Sequence, residues 1–299
     1  MLRLWLSFLL VVLVLVGCGG GNEGSDGADV SVVATTTQVG DLVRNVGGAR
    51  VEVATILEPE ADPHDYEPRP SDAADLADAA VVFRSGGELD EWLGELIDSA
   101  GADGTQVTLL DHVRTRGSDP HWWHDPRNAV LATGVIRDAL SEADPAGRAT
   151  YERNARRYIQ RLREVDRDVE ACISKLPEEK RKIVTTHDSL SYFADRYGLE
   201  VIGAVIPSLS TQAQPSAKDI NALVNQVEEE RVEAIFPESA LTDELEHAVS
   251  REAGADVGEP LFTDSLSPEG TPASSYIGSM RENARRLALG MSGGTLKCF

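Results

Sequence analysis

Short runs of apolar, β-branched residues alternate with longer amphipathic stretches along most of this chain. A short apolar run bounded by turn residues predicts a buried strand, and apolar residues spaced three or four positions apart predict a helix. The first half is therefore predicted to contain strands at 30–35, 51–57, 80–84 and 106–110, and helices at 38–46, 71–79 and 89–100. Strands that alternate with helices in this way form parallel sheets covered by helices.

The second half repeats the pattern, with strands predicted at 182–186, 200–206, 232–236 and 257–262, and helices at 190–197, 217–229 and 241–253. Between the halves, residues 145–176 are predicted to form one charged helix, because apolar residues recur there at helical spacing. Some thirty residues of helix span about 45 Å and form a stiff strut. The predicted fold class is α/β, with two Rossmann-like lobes of parallel strands, 30–144 and 177–299, joined by this long rigid helix.

The beginning of the chain has the pattern of an export signal. Arg3 supplies a positive charge, and the apolar run at 4–16 matches a signal-peptide core but is shorter than the about 20 residues that cross a bilayer. The run ends in Leu15-Val16-Gly17-Cys18, which resembles a bacterial lipobox. We predict a signal peptide at 1–17, and a lipidated Cys18 with a flexible polar tether at 18–29. An ordinary secretory signal that contains a cysteine is the alternative.

The composition is strongly acidic, with a formal net charge of −22. Binding to nucleic acid or anionic lipid requires clustered Lys and Arg, so the net charge argues against either as a partner. An acidic exported protein instead mildly favours the attraction of cations.

Two cysteines remain beyond the predicted lipobox, Cys172 and Cys298. An exported protein reaches a compartment where disulfides persist. The sequence does not place the two Cα atoms within reach of each other. A disulfide and two free thiols therefore both stay open.

Four residues lie where a folded α/β chain would present metal ligands: His64, His121, His187 and Asp264. They fall in predicted loops, and open α/β sheets bind ligands at the carboxyl ends of their strands. Three neutral imidazoles and one carboxylate match the donors that Zn²⁺ prefers. Because the four are roughly sixty to eighty residues apart, only tertiary folding can assemble such a site.

Five segments carry a family resemblance: 63–68 (PHDYEP), 119–126 (DPHWWHDP), 186–199 (THDSLSYFADRYGL), 214–219 (QPSAKD) and 264–266 (DSL). In this order they resemble the successive motifs of the zinc and manganese substrate-binding lipoproteins of bacterial ABC importers, the ZnuA-like group. The resemblance covers essentially the whole mature chain. It implies two lobes joined by a rigid helix, one metal in the cleft, and delivery to a membrane permease and its ATPase.

The resemblance also assigns residues. The histidines of the family fall on His64, His121 and His187, and its carboxylate falls on Asp264. In the second motif His124 stands three residues after His121, where relatives are usually apolar, and it is either a packed or rim histidine or a substitute ligand.

Two acids are candidates to support these ligands. Asp65 directly follows His64, and a carboxylate so close could orient the imidazole. Glu238 follows a predicted strand on the ligand side, and it could hydrogen-bond a ligating imidazole or replace a ligand under another metal. The remaining histidines, His112 and His247, have no supporting context and are predicted to lie on the surface.

Zn²⁺ is the expected metal, because manganese-binding relatives commonly have a glutamate where this chain has His187. A manganese-binding importer component is the first alternative, and a zinc hydrolase is the least favoured. Four protein ligands would close the coordination shell, and the chain lacks the His-Glu-x-x-His, Gly-x-Ser-x-Gly and phosphate-loop patterns of such enzymes. A surface adhesin is a second rival, for which no residues identify a host-binding patch. We expect a monomeric binding protein without catalysis, lipid-anchored on the outer face of the cytoplasmic membrane.

Overall fold

The computed structural model describes residues 30–299. The predicted signal peptide, Cys18 and the tether lie outside the described residues. No helix within residues 30–299 is long and apolar enough to cross a membrane.

The first half forms a parallel sheet from β1 (Val30–Ala34), β2 (Val51–Thr55), β3 (Val81–Arg84) and β4 (Thr105–Thr108). The strand order is β2-β1-β3-β4. Its helices are α1 (Thr37–Gly47), α2 (Pro70–Asp78) and α3 (Leu93–Ala100). The predicted strands are all present, but the predicted helix 89–100 is a short 3₁₀ turn at Gly87–Asp90 followed by α3.

The second half forms another parallel sheet, from β5 (Lys182–His187), β6 (Glu200–Ile206), β7 (Ala234–Phe236) and β8 (Asp256–Val257). Its order, β6-β5-β7-β8, repeats that of the first sheet. The sheet is flanked by α6 (Ser191–Tyr197), α7 (Ala217–Glu230) and α8 (Glu244–Ala253). The two halves are thus separate α/β layers of the same topology, as the sequence pattern predicts.

The predicted strand at 257–262 is wrong in extent. Only Asp256–Val257 pairs with β7, and one isolated bridge joins Leu261 to Glu238 further along. Pro260 interrupts the run, because proline has no N–H to donate to a sheet ladder.

A helix of 26 residues, α5 (Arg148–Ile173), connects the halves and is about 39 Å long. It lies within the predicted 145–176. One side of it is buried, through Tyr151, Tyr158, Leu162 and Val169 among others, and packs against the helices that cover both sheets.

Two helices were not expected from the sequence: α4 (Pro126–Ala143) and α9 (Tyr276–Met291). Both begin with a capping residue, since Asp125 accepts a hydrogen bond from the N–H of Arg127 and Ser275 accepts one from Gly278. Both bury polar residues on their inner faces, which weakens the apolar periodicity that predicts helices. Their caps were the available signal.

The structure resolves the alternatives for the two cysteines. Cys172 on α5 and Cys298 form a disulfide across a separation of 126 residues, with their Cα atoms 5.7 Å apart. A native disulfide that closes a long loop typically stabilises a fold by about 2–4 kcal/mol. The bond ties the last residues of the chain to the linking helix.

Candidate metal site

The first predicted ligand, His64, lies on a short 3₁₀ turn, Pro63–Asp65, that follows β2. Asp62 caps this turn by accepting a hydrogen bond from the backbone N–H of His64 at 2.9 Å. The imidazole is buried, with 1% of the side chain exposed. The expectation that Asp65 orients the imidazole is wrong: Asp65 is exposed and its side chain makes no hydrogen bond to the ring among the described residues.

The second ligand, His121, is held by an acid two residues before it. Asp119 accepts from the backbone N–H of His121 at 3.0 Å and contacts the ring Nδ1 at 2.8 Å. With Nδ1–H donating to this carboxylate, the lone pair of Nε2 faces the other candidate ligands. This role of Asp119 was not predicted from the sequence, although its position immediately before Pro120-His121 was a usable signal.

The third ligand, His187, is the last residue of β5 and is fully buried. Its Nδ1 contacts the carboxylate of Glu238, whose second oxygen accepts from the hydroxyl of Thr263 at 2.7 Å. Burial alone would lower the pKa of His187, but the carboxylates of Glu238 and Asp264 outweigh it and raise the pKa to about 9. Glu238 thus contacts the ring nitrogen that points away from the cluster, the hydrogen-bonding role considered from the sequence.

Asp264 lies between the three imidazoles. Its oxygens are 3.3 Å from Nε2 of His64, 3.3 Å from Nε2 of His187 and 3.4 Å from Nε2 of His121. Both oxygens are buried and have no hydrogen-bond partner among the described residues. Burial would raise the pKa of Asp264, but the facing imidazoles hold it below its usual range, so the group remains a carboxylate.

The four donor groups have the spacing of a coordination shell. One ligand atom from each of His64, His121, His187 and Asp264 lies within 4.8 Å of all the others. The Nε2 atoms of His121 and His187 are 3.2 Å apart. Zn–N bonds of about 2.0–2.1 Å place the corners of a tetrahedron about 3.3 Å apart, close to these separations. A cation at the centre would also satisfy buried polar atoms that are costly to leave unpaired.

The site lies on the seam between the halves of the chain. Trp123 donates from Nε1 to the carbonyl of Thr263 at 2.8 Å, across the seam and beside His121. At the other side of the site, Thr211 donates to the carboxylate of Asp62 at 2.7 Å. These contacts hold the loops of the two halves together around the four donors.

His124 is not part of the cluster. It is buried against Trp123, and neither ring nitrogen has a hydrogen-bond partner among the described residues. Burial, followed by the nearby His121, lowers the pKa of His124 to about 3, so the ring is neutral. Of the two histidines in this motif, the structure brings His121 to the other candidate ligands. The remaining two, His112 and His247, lie on the surface.

Replacing His124 with phenylalanine is expected to leave Zn²⁺ affinity within a few-fold of the wild type. It is also expected to stabilise the fold by about 1 kcal/mol, because the ring nitrogens are buried without partners and phenylalanine has a similar shape. Metal titration and chemical denaturation measure the two effects, with His121→Phe as the matched control. A 100-fold loss of affinity in the His124 variant would make His124 a ligand.

Comparisons with known proteins find relatives that are named for metal binding. Residues 32–290 match the family model "ZnuA: Zinc-uptake complex component A periplasmic". The manganese-binding lipoprotein MntA of Halalkalibacterium halodurans is 32% identical over 98% of this chain and 100% of its own length. The metal ABC transporter substrate-binding lipoprotein SsaB of Streptococcus sanguinis is 29% identical over 95% of this chain and 96% of its own.

Solved structures have the same fold. The periplasmic zinc-binding protein TroA of Treponema pallidum superposes with a TM-score of 0.82 at 24% identity, covering 88% of this chain and 99% of TroA. A Mn-bound periplasmic metal-binding protein of Candidatus Liberibacter asiaticus superposes with a TM-score of 0.80 at 26% identity, covering 88% of this chain and 99% of its own.

Proposed function

The chain belongs to the ZnuA family of periplasmic zinc-uptake components, and we propose that it captures one Zn²⁺ between two lobes and delivers it to an ABC importer. The lobes are 30–144 and 177–299, and the helical segment 145–176 is the strut between them. The metal is cargo in this proposal, carried by His64, His121, His187 and Asp264.

The convergence of these four donors carries the proposal. They come from loops and strand ends far apart in sequence, and each imidazole directs Nε2 at the same carboxylate. Two of the imidazoles are also held at Nδ1, by Asp119 and by Glu238. Carboxylates in this position orient a ligating imidazole and raise its basicity.

The donor types favour zinc over manganese. Three nitrogens and one carboxylate suit tetrahedral Zn²⁺, whereas Mn²⁺ prefers more oxygen donors. Mn²⁺ is the second candidate, because several relatives are named for manganese and both oxygens of Asp264 face the imidazoles. A bidentate Asp264 would supply a fifth donor.

The same geometry argues against hydrolysis. A catalytic zinc keeps an exchangeable position for water beside a general base. Two acids contact this cluster from outside, Asp119 at Nδ1 of His121 and Glu238 at Nδ1 of His187. Both therefore lie behind the imidazoles and not beside the position of a bound metal. We propose a binding protein, not an enzyme.

Metal content tests the proposal most directly. Protein purified without added metal is expected to contain about one equivalent of Zn²⁺ by elemental analysis, because four ligands in one preformed cluster bind a single ion. Chelator-stripped protein should take up the same amount and hydrolyse no ester, peptide or phosphate substrate. Failure to bind any divalent metal, or a metal-activated hydrolysis, would contradict the assignment.

Relatives described as lipoproteins or as periplasmic proteins place the family outside the cytoplasm. We propose that Cys18 carries the lipid that holds this chain on the outer face of the cytoplasmic membrane as a monomer. Its partners are the permease and ATPase of the importer.

Substituting Cys18 by alanine is expected to abolish lipidation and signal processing, since the thiol is the acceptor in the lipobox interpretation. The native protein should partition into detergent with the membrane fraction, and the variant should shift to the unprocessed or soluble pool. Cys172→Ala is the control for loss of a cysteine elsewhere. Unchanged membrane retention and processing of the Cys18 variant would refute the lipobox.

Release requires the ligand loops to separate, and the structure shows what joins them. The backbone N–H of Glu60, ahead of His64, donates to the carbonyl of Leu266 at 3.1 Å and to the hydroxyl of Ser265 at 2.7 Å. With α5 as a stiff connection, small loop movements are favoured over a wide hinge motion. We propose that the docked permease loosens these loops.

A further inference from the structure

The solvent-facing side of α5 concentrates positive charge in an acidic protein. Six of the seven exposed arginines of α5 lie on this side: Arg153, Arg156, Arg157, Arg161, Arg163 and Arg167. At 3.6 residues per turn they fall within a sector of about 160°, opposite the buried side of the helix. We call these six residues the arginine stripe. Glu164 and Asp168 are the acids in the same sector, and Asp168 pairs with Arg281 on α9.

Most of the stripe is not neutralised by the protein. Within residues 30–299, Arg156 pairs with Glu152 at 3.7 Å, and the other five guanidinium groups make no ion pair. The neighbouring helix α9 differs, because Arg281, Arg285 and Arg286 each contact a carboxylate. The unpaired positive charge is therefore found on α5 and not on the neighbouring α9.

Arginine spacing makes the stripe unfavourable for the isolated helix. Arg153, Arg157 and Arg161 follow one another at intervals of four residues, as do Arg163 and Arg167. Like charges at this spacing face each other and destabilise a helix. An anionic surface against α5 would turn this repulsion into attraction.

We propose that the arginine stripe rests on the anionic phospholipid headgroups of the membrane that holds the protein, and this inference depends on the proposed lipid anchor at Cys18. Clusters of four to eight Lys and Arg on a helix near a membrane are sufficient for such attraction. The net charge of the whole chain argues against anionic lipid, but screening limits the interaction to about 8 Å at physiological salt. A lipid headgroup within about 8 Å of α5 would therefore interact mainly with the arginine stripe and little with the acidic residues elsewhere.

The tether keeps α5 within reach of the bilayer. Val30 is twelve positions after Cys18, so the anchor lies at most about 43 Å from the start of β1. That maximum is comparable to the length of α5. A headgroup layer is therefore continuously available to the stripe of an anchored molecule, at a high effective concentration.

The start of β1 also lies near the start of α5. Val30 pairs with Val51, the first residue of β2. The adjacent Arg50 and the first-turn residue Tyr151 of α5 both bond to the carboxylate of Asp144. The point at which the tether enters the fold is thus beside one end of the stripe.

Both ends of α5 lie where strands begin. Tyr151 is linked through Asp144 to the start of β2. Beyond the other end, the side chain of Arg181, which precedes β5, donates to the carbonyl of Leu176. The candidate metal ligands lie at the opposite, carboxyl ends of the strands. A molecule resting on α5 would hold its metal site away from the lipid and towards the medium, an orientation suited to capture.

Arginine footprinting tests the inference on the full lipidated chain. The protein is incorporated into vesicles of phosphatidylcholine alone, or of phosphatidylcholine with about 30 mol % phosphatidylglycerol. The reaction of each arginine with phenylglyoxal is then followed by peptide mass spectrometry. Stripe arginines are expected to react about fivefold more slowly on the anionic vesicles, and high salt should remove the difference. Arg231 and Arg251, on another surface, should react equally on both.

Matched variants separate the stripe from total charge. Arg157, Arg163 and Arg167→Gln should abolish the protection of the remaining stripe arginines, whereas Lys218, Arg251 and Lys297→Gln, which removes the same charge elsewhere, should preserve it. Equal reactivity of the stripe on both vesicles would overturn the inference. So would protection that appears only when permease is added, because that outcome assigns the stripe to an acidic protein surface.

Flotation of the same samples tests the lipid anchor at Cys18 separately from the contact of the arginine stripe with lipid. Protein that floats with the vesicles but shows an unprotected stripe is anchored without resting on α5, which refutes only the orientation. Protein that fails to float is not lipid-anchored, which overturns both. Neither outcome bears on metal binding, which is measured separately.

Discussion

Alanine in place of His64, His121 or His187 is expected to weaken Zn²⁺ binding by about 100- to 1,000-fold for each substitution. Structural zinc sites bind with about 10–16 kcal/mol, so one of four ligands accounts for about 3–4 kcal/mol on average. The buried carboxylate of Asp264 would also lose a facing imidazole in each variant. Competition with a chelator of known affinity measures the loss.

Two histidines provide controls of the same residue type. His112 and His247 are exposed, and His247 is 3.4 Å from Asp243, the residue that precedes α8. Alanine at either position should leave the affinity unchanged. If a cluster variant bound zinc as tightly as these controls, that residue would not be a ligand.

Zinc affinity is expected to fall by about tenfold per pH unit below pH 9. The carboxylates of Glu238 and Asp264 raise the pKa of His187 to about 9, so the metal-free protein holds a proton there at neutral pH. Zn²⁺ must displace that proton, and the displacement becomes harder as pH falls. Asp264 adds nothing to this dependence, because its low pKa keeps it ionised throughout.

Titrations from pH 8 to pH 6, with buffers that differ in ionisation enthalpy, measure both the affinity and the protons released. Glu238→Gln is the informative variant: without the carboxylate charge the pKa of His187 should drop and the pH dependence should weaken. Zn²⁺ should bind more tightly than Mn²⁺ at each pH. An affinity independent of pH would contradict histidine ligation, and tighter binding of Mn²⁺ would contradict the zinc assignment.

The architecture followed from local patterns where burial was one-sided or complete. The strands are short apolar runs, and α5 has apolar residues at helical spacing, so both could be predicted from the sequence. In α4 and α9, buried polar residues such as Asn128 and Asn283 bond to loop backbone and weaken the apolar repeat. Pro260 likewise shortened a run that looked like a strand.

The order of the motifs predicted the four candidate ligands. The acids that hydrogen-bond the imidazoles are identified only in the folded structure. Asp119 reaches His121 from two residues away, whereas Asp65, directly next to His64, points elsewhere. Adjacency in sequence was the wrong guide, because the short 3₁₀ turn directs neighbouring side chains apart. Glu238 meets His187 from 51 residues away, a contact that only the packing of β5 beside β7 creates.

Each half of the chain supplies two of the four ligands: His64 and His121 come from one half, and His187 and Asp264 from the other. This division determines when, relative to export and folding, the protein can bind metal. An unfolded chain holds these groups too far apart to chelate one ion. We therefore expect the newly made protein to leave the cytoplasm without bound metal. It should acquire its metal affinity only after both halves have folded and packed together. A cell that makes an importer component in this way does not export the scarce metal that it is trying to collect.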